Sequence, residues 1–181
     1  MQAATFYLHI EEYDKARDLV TEVLEREQQN VAAQTLRGWI DLLCGREAML
    51  NKSIGYFDGA ERGADKGALL SSLLGRAQYW QRKRTRKPDE KMANLQNSLD
   101  CLMNAYTQFQ WFLPALIENT KVLMMMGKWT EAQDTAMRVL SSDERNVEAL
   151  RFVVFHLLAR EGQYQNAQRK LQELVELISR H

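Results

Sequence analysis

Gly127-Lys128-Trp129-Thr130-Glu131-Ala132 is followed, 35 residues on, by Gly162-Gln163-Tyr164-Gln165-Asn166-Ala167. The shared pattern is glycine, aromatic two positions later, alanine three after that. Glycine tolerates the left-handed backbone that ends one helix at a tight turn, the aromatic wedges between two helices, and the small alanine lets them cross closely. Behind each alanine run apolar residues at helical spacing: Ala136, Val139 and Leu140 in one copy, Leu171, Leu174 and Val175 in the other. Each stretch therefore predicts a helical hairpin whose second helix carries one buried stripe.

Working outward, Glu12-Tyr13-Asp14-Lys15-Ala16 repeats the second half of the pattern, with Leu19, Val20, Val23 and Leu24 behind it. Two looser copies place Ser53 before Phe57 and Ala60, and Ser98 before Leu102 and Ala105. Their first helices run through Leu36, Trp39, Leu42 and Leu43, and through Leu70, Leu73, Leu74, Ala77 and Trp80. The small packing positions are thus Ala16, Ser53, Ser98, Ala132 and Ala167, spaced 37, 45, 34 and 35 residues apart. One insertion of about ten residues belongs to the third copy, where Arg82 to Glu90 is wholly polar and contains Pro88. The expected helices span about 2–11, 13–28, 31–44, 49–63, 66–83, 90–109, 113–127, 129–141, 146–161 and 163–179. They group into repeats at 1–29, 30–64, 65–111 with the basic loop 82–90, 112–144 and 145–181, in one segment. Asn30, Asp143 and Asn146 are expected near helix starts as caps, and Pro114 in a first turn. Neither end carries a capping pattern, so a segment of a longer array is expected.

Composition agrees. Only Pro88 and Pro114 interrupt the 181 residues, and strand-like alternation is absent, so the class is all-α. Twenty-four basic side chains balance twenty-four acidic ones, which leaves no global field to gather nucleic acid or an anionic membrane. The longest apolar run, near Val122 to Met126, is far shorter than the ~20 residues of a membrane span. Met1 to Ile10 lacks the pattern of a secretory signal, and Cys44 and Cys101 form no disulfide framework; cytoplasmic surroundings are expected. His9, His156 and His181 are as scattered as the cysteines, so no metal or cofactor site is expected. With no phosphate loop and no nucleophile elbow, there is no catalytic residue to name and no enzyme is expected.

The positions Ala4, Tyr7, Tyr13, Ala16 and Val20, and Leu116, Leu123, Gly127, Trp129, Ala132 and Ala136, resemble the tetratricopeptide repeat, which implies an α-solenoid of about five helical hairpins. A closer resemblance lies in Tyr13-Asp14-Lys15-Ala16-Arg17, Leu36-Arg37-Gly38-Trp39-Ile40-Asp41, Leu74-Gly75-Arg76-Ala77-Gln78, Phe112-Leu113-Pro114-Ala115 and Arg145-Asn146-Val147-Glu148-Ala149-Leu150-Arg151, with Arg160-Glu161-Gly162 behind them. In order and spacing these are similar to the tetratricopeptide-repeat subunit of intraflagellar transport complex A, the tetratricopeptide repeat protein 21 family of vertebrates. The resemblance implies a scaffold of the cilium or flagellum and its base. It would assemble with other complex A subunits, serve retrograde transport, and carry membrane proteins into the organelle. The Arg82 to Glu90 insertion and Ser98 depart from that pattern, and the matched motifs are structural, so they transfer no binding residue.

Candidate contacts come from elementary considerations instead. First helices line the concave side of such a solenoid, which nominates Arg37, Asp41, Arg76, Lys121 and Arg151 for an acidic partner segment. The run Arg82, Lys83, Arg84, Arg86 and Lys87 reads either as a solvated loop or as an anion-binding one. As a binding surface it suits an acidic protein better than nucleic acid, because no aromatic side chains interleave with the charges. Met124, Met125 and Met126 are expected to fill the core. The alternative reading, a peptide-clamp co-chaperone, requires Lys, Asn and Arg on consecutive first helices, of which Asn119 and Lys121 are a fragment.

Overall fold

A computed structural model describes residues 1–63 and 65–179. Among the described residues the backbone forms ten α-helices and no strand. They are α1 (Gln2–His9), α2 (Tyr13–Arg26), α3 (Val31–Leu43), α4 (Glu47–Glu61), α5 (Lys66–Arg82), α6 (Pro88–Gln108), α7 (Leu113–Met125), α8 (Trp129–Ser142), α9 (Val147–His156) and α10 (Tyr164–Ser179). A π turn, Leu157–Glu161, continues α9. The chain divides into two compact units, Met1–Ala105 and Tyr106–His181.

The turns follow from local chemistry. Gly45, Gly127 and Gly162 all adopt the left-handed conformation, at φ 74°, 76° and 64°, after α3, α7 and the π turn. The first hairpin has no glycine there, and Glu11 takes the same conformation at φ 61°. That forced turn ends α1 at His9, earlier than periodicity alone predicts. Asn30 and Asn146 cap α3 and α9 by accepting from Ala33 N–H at 2.9 Å and Ala149 N–H at 3.1 Å. Asp143 does not cap a helix start: it is the C-cap residue of α8, and its carboxylate accepts from Arg145 N–H at 3.2 Å and from Asn146 Nδ2 at 3.1 Å in the turn before α9. Asp65, which sequence reading passed over, caps α5 through Gly67 and Ala68. Helix α6 starts at Pro88, where a missing N–H costs nothing, and Asp89 and Glu90 in its first turn complement the helix dipole. The polar loop therefore shortens to residues 83–87.

In the first unit α1 packs on α2, α2 on α3, α3 on α4, and α5 on both α3 and α4. Ala16, Ser53 and Ser98 are fully buried at the helix crossings. Both serine hydroxyls are satisfied by backbone carbonyls: Ser53 Oγ donates to Leu50 O at 2.7 Å, and Ser98 Oγ donates across to Ala77 O of α5 at 2.9 Å. Phe57 is the largest fully buried side chain, and it lies on Gly38 and Gly75. A methyl group at Gly38 would come 2.6 Å from the ring, and one at Gly75 would come closer still. Trp39 meets Phe57 edge-on at 5.6 Å and donates its indole N–H to Ser71 Oγ of α5 at 2.8 Å.

In the second unit α7 packs on α8, α8 on α9 and α9 on α10. Ala132 and Ala167 are buried, as are Ala136, Val139 and Leu140. Two expectations fail here. Leu171 and Val175 of α10 are exposed and only Leu174 of that stripe is buried, because α10 packs on α9 and the π turn with one side only. The methionine run does not fill the core either: Met125 is exposed while Met124 and Met126 are half-buried, since successive residues on the last turn of α7 point in different directions.

Candidate interaction surfaces

The residues nominated as contacts separate once their surroundings are known. Asp41 is a core group with 0% exposure and is withdrawn as a surface contact. One carboxylate oxygen accepts from Arg17 Nε at 3.1 Å and the other from Arg37 Nε at 3.1 Å, and both guanidinium side chains are only 13% exposed. Sequence reading failed because Asp41 lies one residue from the expected stripe of α3, and a buried carboxylate is tolerated only when cations from two helices converge on it. Arg37 is spent in the same knot, with Nη1 donating to Thr21 Oγ1 at 2.7 Å and its guanidinium over the Tyr56 ring. Asp14, at the solvent edge, accepts from Arg46 and Arg17. Chiefly the Arg46 bond, and then Arg17, hold its carboxyl below the usual aspartate range.

Arg76 is likewise engaged, hydrogen-bonded to Glu61 and lying beside Asp58. Lys121 pairs with Glu118 at 2.9 Å and Arg151 with Glu148 at 3.0 Å, both within their own helices. These last two pairs are exposed, and Lys121, Glu148 and Arg151 edge a groove of about 490 Å³ in the second unit. Its walls are Ile117 and Met124 of α7, Phe152 and Phe155 of α9, and Leu158 of the π turn. Phe155 and Leu158 are 47% and 43% exposed, so large apolar side chains face water there. The sequence holds no clear signal of this groove: the π turn re-aims Leu158, and that depends on an inserted hydrogen-bond register rather than on composition. At the end of the π turn, Glu161 binds His156 Nε2 at 3.0 Å and accepts from Gln133 and Gln163.

The basic loop is anchored at both ends. Arg82 Nη1 donates to Leu42 O at 3.2 Å, and Lys83 lies over the Trp80 ring at 4.8 Å. Lys87 pairs with Glu90 at 2.6 Å, and Thr85 Oγ1 donates to the same carboxylate at 2.7 Å. Those two bonds hold the Glu90 carboxyl below its ordinary range, Lys87 having the larger effect. Arg84 and Arg86 are exposed. The cysteines are far apart in character: Cys44 is half-exposed, while burial raises the Cys101 thiol. Among the described residues no group of three metal-ligating side chains converges, and no helix is long and apolar enough to cross a membrane.

The family model for the tetratricopeptide repeat protein 21 N-terminal ARM repeat matches residues 1–133. Tetratricopeptide repeat protein 21B of Homo sapiens is 30% identical over 172 residues, which covers 95% of this chain and 12% of that protein. Tetratricopeptide repeat protein 21A of Mus musculus is 27% identical over 176 residues, covering 97% of this chain and 12% of its own length. The chain thus spans only 12% of these relatives. Among solved structures, MamA matches with a TM-score of 0.71 at 14% identity, over 99% of this chain and 96% of that one. YrrB, a TPR protein with an unusual peptide-binding site, matches at 0.60 and 15% identity, over 98% and 84%. At such identities the likeness is one of fold, and it makes the class all-α, a tetratricopeptide-type α-solenoid. The family match extends across most of the helices described above, and the chain belongs to the tetratricopeptide repeat protein 21 N-terminal repeat family.

Proposed function

We propose that this chain is a non-catalytic protein-interaction segment of a scaffold in intraflagellar transport complex A, serving retrograde ciliary transport and the traffic of ciliary membrane proteins. Family membership supports the scaffold, and the resemblance in Leu36 to Asp41 and Arg145 to Arg151 supports the complex. Its partners would be other complex A subunits, met in the cytoplasm, at the base of the cilium or flagellum and within it. Five repeats, at 1–29, 30–64, 65–111, 112–144 and 145–181, are the units proposed to present the surface.

The observation that carries the interaction reading is the apolar groove beside Phe155 and Leu158. Ion pairs along its edge are already neutralised within their own helices, so the groove offers apolar area without demanding a charged ligand. The peptide-clamp alternative gains nothing: Asn119 is buried and Lys121 is paired with Glu118. The test is affinity capture of the full-length parent from ciliated cells, with and without Phe155→Asp. Recovery of other complex A subunits, reduced by the substitution, is expected; recovery of chaperones in their place would overturn the reading.

A further inference from the structure

The loop of residues 83–87 forms one wall of a cleft of about 770 Å³ in the first unit. Five cations line it, Arg82, Lys83, Arg84, Arg86 and Lys91, against the single carboxylate of Glu47. The loop's neighbouring acid, Glu90, is taken up by Lys87 and Thr85, so it makes no ion pair with Arg84, Arg86 or Lys91. Among the described residues the side chains of Arg84, Arg86 and Lys91 have neither a hydrogen bond nor an ion pair, and all three are exposed. Like charges gathered without counter-charge repel one another, and a bound anion relieves that repulsion.

Beside the cleft, sharing Glu47, Arg82 and Arg84 with it, is a slot of about 210 Å³ walled by Leu42, Gly45 and Leu50. Leu42 is buried and Leu50 half-buried, so the slot is recessed. Gly45 opens it, having left-handed backbone and no side chain. Arg82 is fixed at the shared edge by its bond to the Leu42 carbonyl. The binding chemistry is therefore mixed, with an apolar recess for one side chain flanked by unneutralised guanidinium groups.

We infer that this cleft binds an acidic protein segment, seating one apolar side chain between Leu42 and Leu50 while flanking carboxylates pair with Arg84, Arg86 and Lys91. Three features select a protein. Single-stranded nucleic acid is held by aromatic faces on which bases stack, and the Tyr79 and Trp80 rings here lie under Lys83. Membranes are engaged by apolar side chains that protrude, whereas these are recessed. Carboxylates match a row of guanidinium groups with two-pronged bonds, and only an arginine-flanked recess rewards a neighbouring apolar residue. The inference stands on the first unit alone and is independent of the groove beside Phe155.

Fluorescence anisotropy with a labelled Glu-Glu-Leu-Glu-Glu peptide tests it. The unaltered protein should bind that peptide, and Arg84→Glu with Arg86→Glu should weaken binding at least about tenfold, because attraction becomes like-charge repulsion. Both side chains are exposed, so the melting temperature should match the parent's. Glu47→Gln, which removes the one opposing carboxylate, should tighten binding roughly twofold or more. Replacing leucine in the peptide by alanine should cost about tenfold, and added salt should weaken the charged contacts. Equal affinity for the all-glutamine peptide, or charge-reversed protein that binds as well as the parent, overturns the inference. So does failure of the peptide together with Arg84-dependent sedimentation on phosphatidylserine vesicles, which would make the patch a membrane contact.

Discussion

The carboxylate of Asp41 lies between the guanidinium groups of Arg17 and Arg37, with no water-accessible surface of its own. Removing it would leave the largely buried Arg37 without a carboxylate and Arg17 with only Asp14 at the solvent edge. Asp41→Ala is therefore expected to cost about 3 kcal/mol or more, read as a lower midpoint in urea unfolding. A midpoint within error of the parent's would mean that water already solvates both arginines. Gly75 has a different vulnerability, because it lets the Phe57 ring lie against the α5 backbone. Gly75→Ala normally favours a helix, yet here overpacking of a rigid ring should reverse the sign and destabilise by about 1 to 3 kcal/mol. Thermal unfolding of the single variant and of its combination with Phe57→Leu checks the cause, since the smaller side chain should recover part of the loss.

At the level of the helices, hairpin turns decide where each element stops. Three turns have glycine in the left-handed conformation and the first has Glu11. A residue with a Cβ pays a steric penalty there, so Glu11→Gly is expected to stabilise by about 0.5 to 1 kcal/mol, measured by chemical unfolding. No gain would indicate that the glycine's extra freedom in the unfolded chain cancels the relief. The helix positions themselves were legible from sequence, because the 3.6-residue stripe and the small residue at each crossing are both local patterns. Ser53 and Ser98, expected as packing positions of a hairpin, are both fully buried. The Ser98 hydroxyl's partner was not legible, since Ala77 O belongs to another helix and comes within reach only through packing.

Across the whole molecule, balanced charge and an uncovered apolar stripe act together. Leu171, Val175 and Ile178 are exposed along one face of α10, while the chain carries no net charge and has a pI near 6.8. Little repulsion opposes contact between two such faces, so concentration-dependent self-association near neutral pH is expected. Sedimentation velocity should show it, and Leu171→Glu with Val175→Lys should abolish it. A single unchanging species across a wide concentration range would contradict the expectation.

Periodicity, two prolines and a recurrent small residue determined the class, the number of hairpins and most helix limits of this protein by themselves. Those properties follow from interactions between residues three or four apart, which sequence order contains directly. Only the tertiary structure decided which charges are free. Asp41 looked like a surface acid and is the centre of an ionic core; Arg84 and Arg86 stand in a basic run plain in the sequence, but that they and Lys91 share one cleft with Glu47 of α4 as its single carboxylate is a matter of packing. Whether a charge is spent or available depends on groups brought near it by packing, and Coulomb attraction acts on distance in space, not on separation along the chain.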